Sequence, residues 1–134
     1  MNRNNRVFTR SQFFLSALLL ALVVPFNAAL ANDATIVAVK IQTTGSDNSF
    51  RIDVTLEHGD EGWDHYANRW DVLNEQGELL GSRTLHHPHV DEQPFTRSLT
   101  LSIPESVKVI TIVASDSVHG DNSETKTVAV PGRE

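Results

Sequence analysis

The sequence predicts an all-β protein, a seven-stranded sandwich of the immunoglobulin or fibronectin type III kind, behind an N-terminal signal peptide. Three observations predict it. Short stretches alternate between apolar and polar residues, as in Phe50–Glu57. Turn-forming residues separate these stretches at regular spacing, and Trp70 lies in the third stretch, where such sandwiches commonly bury a tryptophan. A jelly roll and a small barrel are the alternatives.

The first predicted element is a signal peptide over residues 1–31. Three arginines and no acidic residue lie in the first ten positions, and Phe13–Val24 is almost wholly apolar. Ala29-Leu30-Ala31 matches the pattern that signal peptidase accepts, so we expect cleavage before Asn32. A transmembrane anchor is the alternative, but the apolar stretch is shorter than the roughly 20 residues that span a bilayer.

The remainder, residues 32–134, has the length of a single domain. Without the three signal arginines it holds 8 basic and 17 acidic residues, which gives a net charge of −9. Such a surface repels nucleic acid and anionic lipid and attracts cations, so we expect no nucleic-acid partner and no membrane contact after cleavage. An exported chain without cysteine has no disulfide, which favours a bacterial periplasmic or secreted protein.

Seven strands are predicted along this domain. The second and fifth alternate strictly and predict half-buried strands, whereas Val107–Ala114 is nearly continuous and apolar, as in a strand covered on both faces. Polar turns separate the strands at 45–48, 74–77, 104–106 and 119–122. The predicted strands are β1 (about 35–43), β2 (49–57), β3 (65–73), β4 (78–86), β5 (94–103), β6 (107–116) and β7 (124–130).

All six histidines fall outside the predicted strand interiors. Two flank the β2–β3 loop, three follow β4 and one follows β6. Because antiparallel strands carry the chain alternately to each end of a sandwich, these three loops are expected at the same end. The histidines are His58, His65, His86, His87, His89 and His119.

Acidic residues crowd the same loops, and imidazole nitrogens with carboxylate oxygens are the ligands that suit Zn²⁺ or Cu²⁺. We therefore predict a metal site, for copper or zinc. On an extended strand, His87 and His89 would point to the same side of the chain, because Pro88 alone separates them. The alternative is a solvated loop whose histidines titrate near neutral pH. The predicted ligands are His65, His87, His89, His119, Asp91 and Glu92.

Trp63, Tyr66 and Trp70 form an aromatic run at the start of β3. Because aromatic side chains dominate the burial of small domains, we expect at least two of the three in the core. Exposed rings would instead favour a sugar-binding platform.

The sequence contains no recognisable catalytic motif. It has no Gly-x-Ser-x-Gly elbow, no Ser-x-x-Lys and no cysteine nucleophile. We therefore expect that the protein is not an enzyme.

Three segments resemble a group of small, uncharacterised, exported β-sandwich proteins of proteobacteria. They are Trp63–Leu73, His87–Leu99 and Asp116–Gly120. The resemblance covers most of the domain and implies a setting in the bacterial envelope, without assigning any catalytic or binding residue.

The leading hypothesis is a periplasmic binding module that holds a divalent transition metal at one end of the sandwich. The alternative is a structural or protein-interaction module of the cell envelope, with an envelope protein as its partner and no metal. A glycan-binding module is a weaker third hypothesis.

Overall fold

Seven β-strands make up the described part of the chain, residues 33–133 of this computed structural model. The predicted signal peptide lies outside the described residues. Among residues 33–133, no helix has the length and hydrophobicity that a membrane crossing requires. The strands are β1 (Thr35–Thr43), β2 (Ser49–Glu57), β3 (Ala67–Leu73), β4 (Leu79–Thr84), β5 (Phe95–Ser102), β6 (Val109–Asp116) and β7 (Gly120–Ala129).

The strands form two antiparallel sheets, ordered β1-β2-β5 and β4-β3-β6-β7. This arrangement confirms the predicted all-β, seven-stranded sandwich. Residues 33–34 and the β2–β3, β4–β5 and β6–β7 loops lie at one end, which we call the histidine end. The β1–β2, β3–β4 and β5–β6 loops and residues 130–133 lie at the other, the opposite end.

The hydrophobic core lies between the sheets. In β2 every second side chain from Phe50 to Leu56 is buried, as its alternating sequence predicts. Trp70 and Val72 of β3 and Ile112 of β6 face them with no exposed surface. Each such side chain stabilises the fold by about 1.5–3 kcal/mol through the apolar area that it removes from water. The two sheets therefore form a firm support for the loops at both ends.

Five strands begin elsewhere than predicted: β4 and β5 by one residue, β3 and β6 by two, and β7 by four. β3 begins at Ala67, because His65 belongs to the loop before it. β7 begins at Gly120 rather than at 124, because the turn is tight and Asp116 pairs directly with Gly120. Gly120 has a φ of 77°, which glycine adopts without the strain that a side chain would add. His119 therefore lies in a short hairpin turn directly beyond β6.

The aromatic run is divided between core and solvent. Trp70 is fully buried, whereas Trp63 is 69% exposed because it lies in the loop before β3, where strand alternation does not apply. Tyr66 is half-buried, and its ring meets that of Trp63 edge-on at 5.7 Å. The expectation that at least two of the three rings pack in the core is therefore wrong.

Candidate metal centre

The histidine end brings imidazole rings from three loops into contact. The ring centroid of His65 lies 4.8 Å from that of His58 and 5.1 Å from that of His119. In the β4–β5 loop, the rings of His87 and His89 are 4.6 Å apart. The sandwich topology thus gathers side chains that are far apart in the sequence.

Three buried side chains at this end offer ligand atoms that all lie within 4.8 Å of one another: those of His58, His65 and Asp116. His119 adjoins them, with its Nδ1 3.1 Å from Asp116 Oδ1. We call these four residues the Asp116 cluster. Imidazole nitrogens with one carboxylate, without a thiol, form a ligand set that suits Zn²⁺ or Cu²⁺.

Asp116 is the last residue of β6, and only 2% of its surface is exposed. Its Oδ1 accepts hydrogen bonds from the backbone N–H of Val118 (2.9 Å) and of His119 (2.7 Å). Burial raises the pKa of Asp116, but these hydrogen bonds and the His119 side chain outweigh burial, so its pKa falls below the usual range. The cluster therefore holds an ionised carboxylate that solvent does not reach.

His65 lies beside this carboxylate without a hydrogen bond to it. The Nε2 atom is 3.3 Å from Asp116 Oδ1, yet it is buried and has no hydrogen-bond partner. Leaving a buried polar atom without a hydrogen bond costs about 1–3 kcal/mol, so such atoms are rare in proteins. Two ligands of one metal ion also lie side by side with no hydrogen bond between them. The ring nitrogen of His65 and the carboxylate oxygen of Asp116 have this arrangement.

Asp60 fixes the orientation of the His58 ring through its Nδ1 atom. The Oδ1 atom of Asp60 lies 2.5 Å from His58 Nδ1, and both side chains are fully buried. Asp60 also accepts hydrogen bonds from the backbone N–H of Ala67 (3.0 Å) and of His89 (2.6 Å). A carboxylate on one ring nitrogen commonly fixes the orientation of a histidine that binds metal through the other. Asp60 thus joins the β2–β3 and β4–β5 loops at the back of the cluster.

The β4–β5 loop buries His89 away from the cluster. Its ring stacks on Phe95 at 3.8 Å, and neither ring nitrogen has a hydrogen-bond partner. Its Nδ1 lies 3.9 Å from Asp60 Oδ2. Burial lowers the pKa of His89, and the positive charges of Arg97 and His87 lower it further. The structure therefore favours the neutral form of this imidazole.

The other predicted ligands of this loop face solvent. His87, Asp91 and Glu92 are exposed, and Glu92 pairs with Arg97 at 3.2 Å. Hydrogen bonds from the Arg97 guanidinium lower the pKa of Glu92. Within residues 33–133, the groups of side chains placed to hold a metal include two of the six predicted ligands, His65 and His119. They do not include His87, His89, Asp91 or Glu92.

His58 and Asp116 are members of the cluster that sequence reasoning did not select as ligands. Two local signals mark them. His58 is two residues before Asp60, directly after β2, and Asp116 is three residues before His119 at the end of β6. An aspartate that closes a strand and is followed by a turn often accepts hydrogen bonds from the turn's backbone, which buries its carboxylate.

Asp116 also belongs to a second group. Asp33, Asp116 and His119 each offer a ligand atom, and these atoms again lie within 4.8 Å of one another. Asp33 is exposed and precedes β1. The Asp116 carboxylate is therefore shared by two sets of neighbours.

Comparison with known proteins gives few relatives. No family model matches the chain. A protein of Halomicrobium mukohataei named "Putative lipoprotein" is 36% identical over 96 residues, which cover 72% of this chain and 47% of that protein. The chain thus spans about half the length of this curated relative. The relative is archaeal and its name states no reaction, and the resemblance to exported proteins of proteobacteria stays a prediction.

Among solved structures, a superoxide reductase (neelaredoxin) from Ignicoccus hospitalis is similar over 69% of this chain and 79% of that one. The sequences are 19% identical and the TM-score is 0.46. A similarity of this size carries no argument about function.

Proposed function

We propose that this protein is an exported binding module that holds one divalent transition metal ion, zinc or copper, at the Asp116 cluster. The observation that carries the proposal is the buried Nε2 of His65, which lies 3.3 Å from an ionised carboxylate oxygen without a hydrogen bond. A metal ion beside the carboxylate would give the Nε2 atom a partner and offset the cost of burying it.

Each residue of the cluster would supply a different ligand atom to the ion. His58, oriented by Asp60, and His65 supply imidazole nitrogens from the two sides of the β2–β3 loop. Asp116 supplies the negative charge that compensates the cation, and His119 supplies a further nitrogen from the hairpin turn. Because only His119 of the four is exposed, we expect the ion to enter from its side.

Location in the bacterial periplasm or outside the cell is part of this proposal. The predicted signal peptide supports export, and so does the name of the Halomicrobium relative, since lipoproteins are exported proteins. A net charge of −9 for residues 32–134 would concentrate cations at the surface of the domain.

A thermal melt tests the proposal directly. Protein stripped with a chelator is melted with and without Zn²⁺ or Cu²⁺, with circular dichroism as the signal. A ligand that binds the folded state alone stabilises it by about 2.7 kcal/mol at a concentration 100 times its dissociation constant, so the midpoint should rise by several degrees.

Two variants make this experiment specific. His65→Ala should fold, because the imidazole Nε2 makes no hydrogen bond, and it should lose the metal-induced rise. His86→Ala is the matched control, because His86 is exposed and lies outside the cluster, and it should keep the full rise. Equal rises in both variants, or no rise at metal concentrations well above micromolar, would contradict the proposal.

The second candidate is an interaction module without a metal. Each of the three loops of the histidine end exposes one large apolar side chain: Trp63, Val90 and Val118. Exposed apolar side chains that share one end of a domain are typical of interaction sites. Capture of an envelope protein by the wild type but not by Trp63→Ala, unaffected by chelator, would favour this candidate over the metal site.

A further inference from the structure

The loops of the histidine end carry acidic residues without basic ones. Together with residues 33–34, these three loops contain six aspartates and glutamates and no lysine or arginine. Of the five acidic side chains that are exposed, only Glu92 pairs with a lysine or arginine of residues 33–133. This end of the domain therefore presents a surface of one charge sign. The five exposed acidic residues are Asp33, Glu61, Asp64, Asp91 and Glu92.

Exposed apolar side chains concentrate at the same end. Within residues 33–133, five large apolar side chains are exposed, and three of them, Trp63, Val90 and Val118, lie in these loops. Val118 directly precedes the exposed His119, and Trp63 lies two residues before His65, whose ring meets that of His119. Trp63 and Val118 are thus carried by the two loops that meet at the exposed side of the candidate metal centre.

Hydrogen bonds between the loops hold this surface in one arrangement. The backbone N–H of Ser117 donates to the carbonyl oxygen of Tyr66 (2.9 Å), and the N–H of Tyr66 donates to Ser117 Oγ (3.1 Å). These bonds join the β2–β3 loop to the β6–β7 loop, as Asp60 joins it to the β4–β5 loop through the N–H of His89. A surface that is ordered before binding loses little conformational entropy when a partner docks.

The charge of this surface determines the kind of partner that fits it. A second copy of the chain would bring acidic residues against acidic residues, and nucleic acid or anionic lipid would meet the same repulsion. Protein interfaces combine an apolar centre, in which tryptophan often contributes much of the binding energy, with a polar rim. A protein with lysine or arginine around an apolar centre therefore complements the histidine end in both respects.

We propose that the histidine end is the docking surface for a cationic protein, whose apolar side chains contact Trp63, Val90 and Val118 while its lysines or arginines pair with the surrounding carboxylates. The inference goes beyond the proposed function, because these side chains supply no ligand atom of the Asp116 cluster. A docked partner would also cover His119, the side from which we expect the ion to enter, and would control exchange of the ion. That consequence alone rests on the proposed function.

Photocrosslinking tests the proposal in the organism that makes the protein. The full chain carries p-benzoylphenylalanine, a photoreactive apolar residue, in place of Val118 or, in a second version, in place of Val90. The matched control carries it in place of Leu79, which is 61% exposed at the start of β4, at the opposite end. Mass spectrometry identifies the crosslinked molecules. We expect the same basic protein at both positions of the histidine end and not at Leu79.

Titration of the purified protein with the purified partner then tests the contacts. Trp63→Ala should weaken the affinity by about tenfold or more, because a tryptophan at the centre of an interface is commonly a major contributor. Leu79→Ala should leave it unchanged. Asp64→Lys combined with Asp91→Lys should also weaken it, by a factor that shrinks as the salt concentration rises, because salt screens exposed charges. Calorimetry measures each affinity, and melting curves check that each variant is folded.

Three results would overturn the inference. They are crosslinks at Leu79 that match those of the histidine end, a crosslinked molecule that is a lipid, an acidic protein or a second copy of this chain, and an affinity that Trp63→Ala leaves unchanged. The Zn²⁺ melt is repeated on Trp63→Ala, which should keep the metal-induced rise. If no basic partner is crosslinked while this rise persists, the proposed function stands and this inference alone fails. If the partner docks but no form of the protein binds metal, the docking surface stands and the proposed function fails.

Discussion

The two ends of the sandwich differ in how completely their buried polar groups are hydrogen-bonded. At the opposite end, the Arg133 guanidinium donates to the carbonyl oxygens of Pro104, Ile103 and Val107, and to the side-chain oxygen of Asn48. Within the described residues, none of the seven buried side-chain atoms without a hydrogen bond belongs to the loops of that end. The opposite end is thus built for stability.

The histidine end lacks this complete pairing. Three of the seven unpaired buried atoms are ring nitrogens of His65 and His89. Each unpaired buried nitrogen costs free energy that a leucine in its place would not. The difference between the ends shows that stability alone does not account for the buried imidazoles. A binding site, in contrast, requires nitrogen atoms that other residues leave unpaired.

Among substitutions at the two ends of the sandwich, the largest effect is expected from Asp60→Asn. The Asp60 carboxylate accepts hydrogen bonds from His58 Nδ1 and from the backbone N–H of Ala67 and His89, and an amide would place a donor against at least one of them. The free energy of unfolding should fall by about 2–4 kcal/mol. Urea denaturation measures it.

The control for Asp60→Asn is Asp64→Asn, an exposed substitution in the same loop that should change stability by less than about 0.5 kcal/mol. A loss of similar size in both variants would mean that general acidity of the loop, and not the buried carboxylate, stabilises this end.

Arg133→Ala tests the opposite end. The substitution removes hydrogen bonds to three carbonyl groups and the contact of the guanidinium with the Phe50 ring at 5.0 Å. Water replaces part of this loss near the surface, so we expect the free energy of unfolding to fall by about 1–2 kcal/mol. The increase in midpoint caused by Zn²⁺ should equal that of the wild type. A diminished increase would refute the separation of the two ends.

The pH dependence of stability should reflect His89. Burial first, then the charges of Arg97 and His87, lowers the pKa of its folded form, so below about pH 6.5 the unfolded chain binds a proton that the folded chain does not. The free energy of unfolding should therefore fall as pH drops from 7.5 to 5.5, by up to about 1.4 kcal/mol for each pH unit below 6.5.

Urea midpoints at pH 7.5 and 5.5, measured with chelator present, check this prediction. His89→Phe should flatten the dependence, because it keeps a flat ring against Phe95 and removes the titrating group. His86→Ala should leave the dependence unchanged. An equally steep fall in His89→Phe would assign the effect to another residue.

Much of the fold follows from local patterns in the sequence. The alternation in β2 gives its bounds as observed, at Ser49–Glu57, because a half-buried strand must repeat every two residues. The clustering of histidines follows from topology, since three loops share one end of an antiparallel sandwich. Neither inference needs knowledge of individual contacts.

The residues that form the candidate metal centre cannot be predicted in the same way. Which histidine of 86–89 is buried depends on the stacking of His89 on Phe95, a contact formed only when the loop folds. Asp33 reaches Asp116 because Asn122, far along the chain, holds the backbone of Ala34. Such contacts are non-local, and no spacing rule reports them.

The smallest effect is expected from Trp63→Ala at the histidine end. Because 69% of this side chain is exposed, and its ring meets that of the half-buried Tyr66, the free energy of unfolding should change by about 0.5 kcal/mol or less. Guanidinium denaturation followed by circular dichroism measures this change. The contrasting variant is Trp70→Ala, which leaves a cavity in the core and should lower the free energy of unfolding by about 3–5 kcal/mol. A large loss in Trp63→Ala would show that the exposed ring stabilises its loop, and would weaken its assignment to an interaction surface.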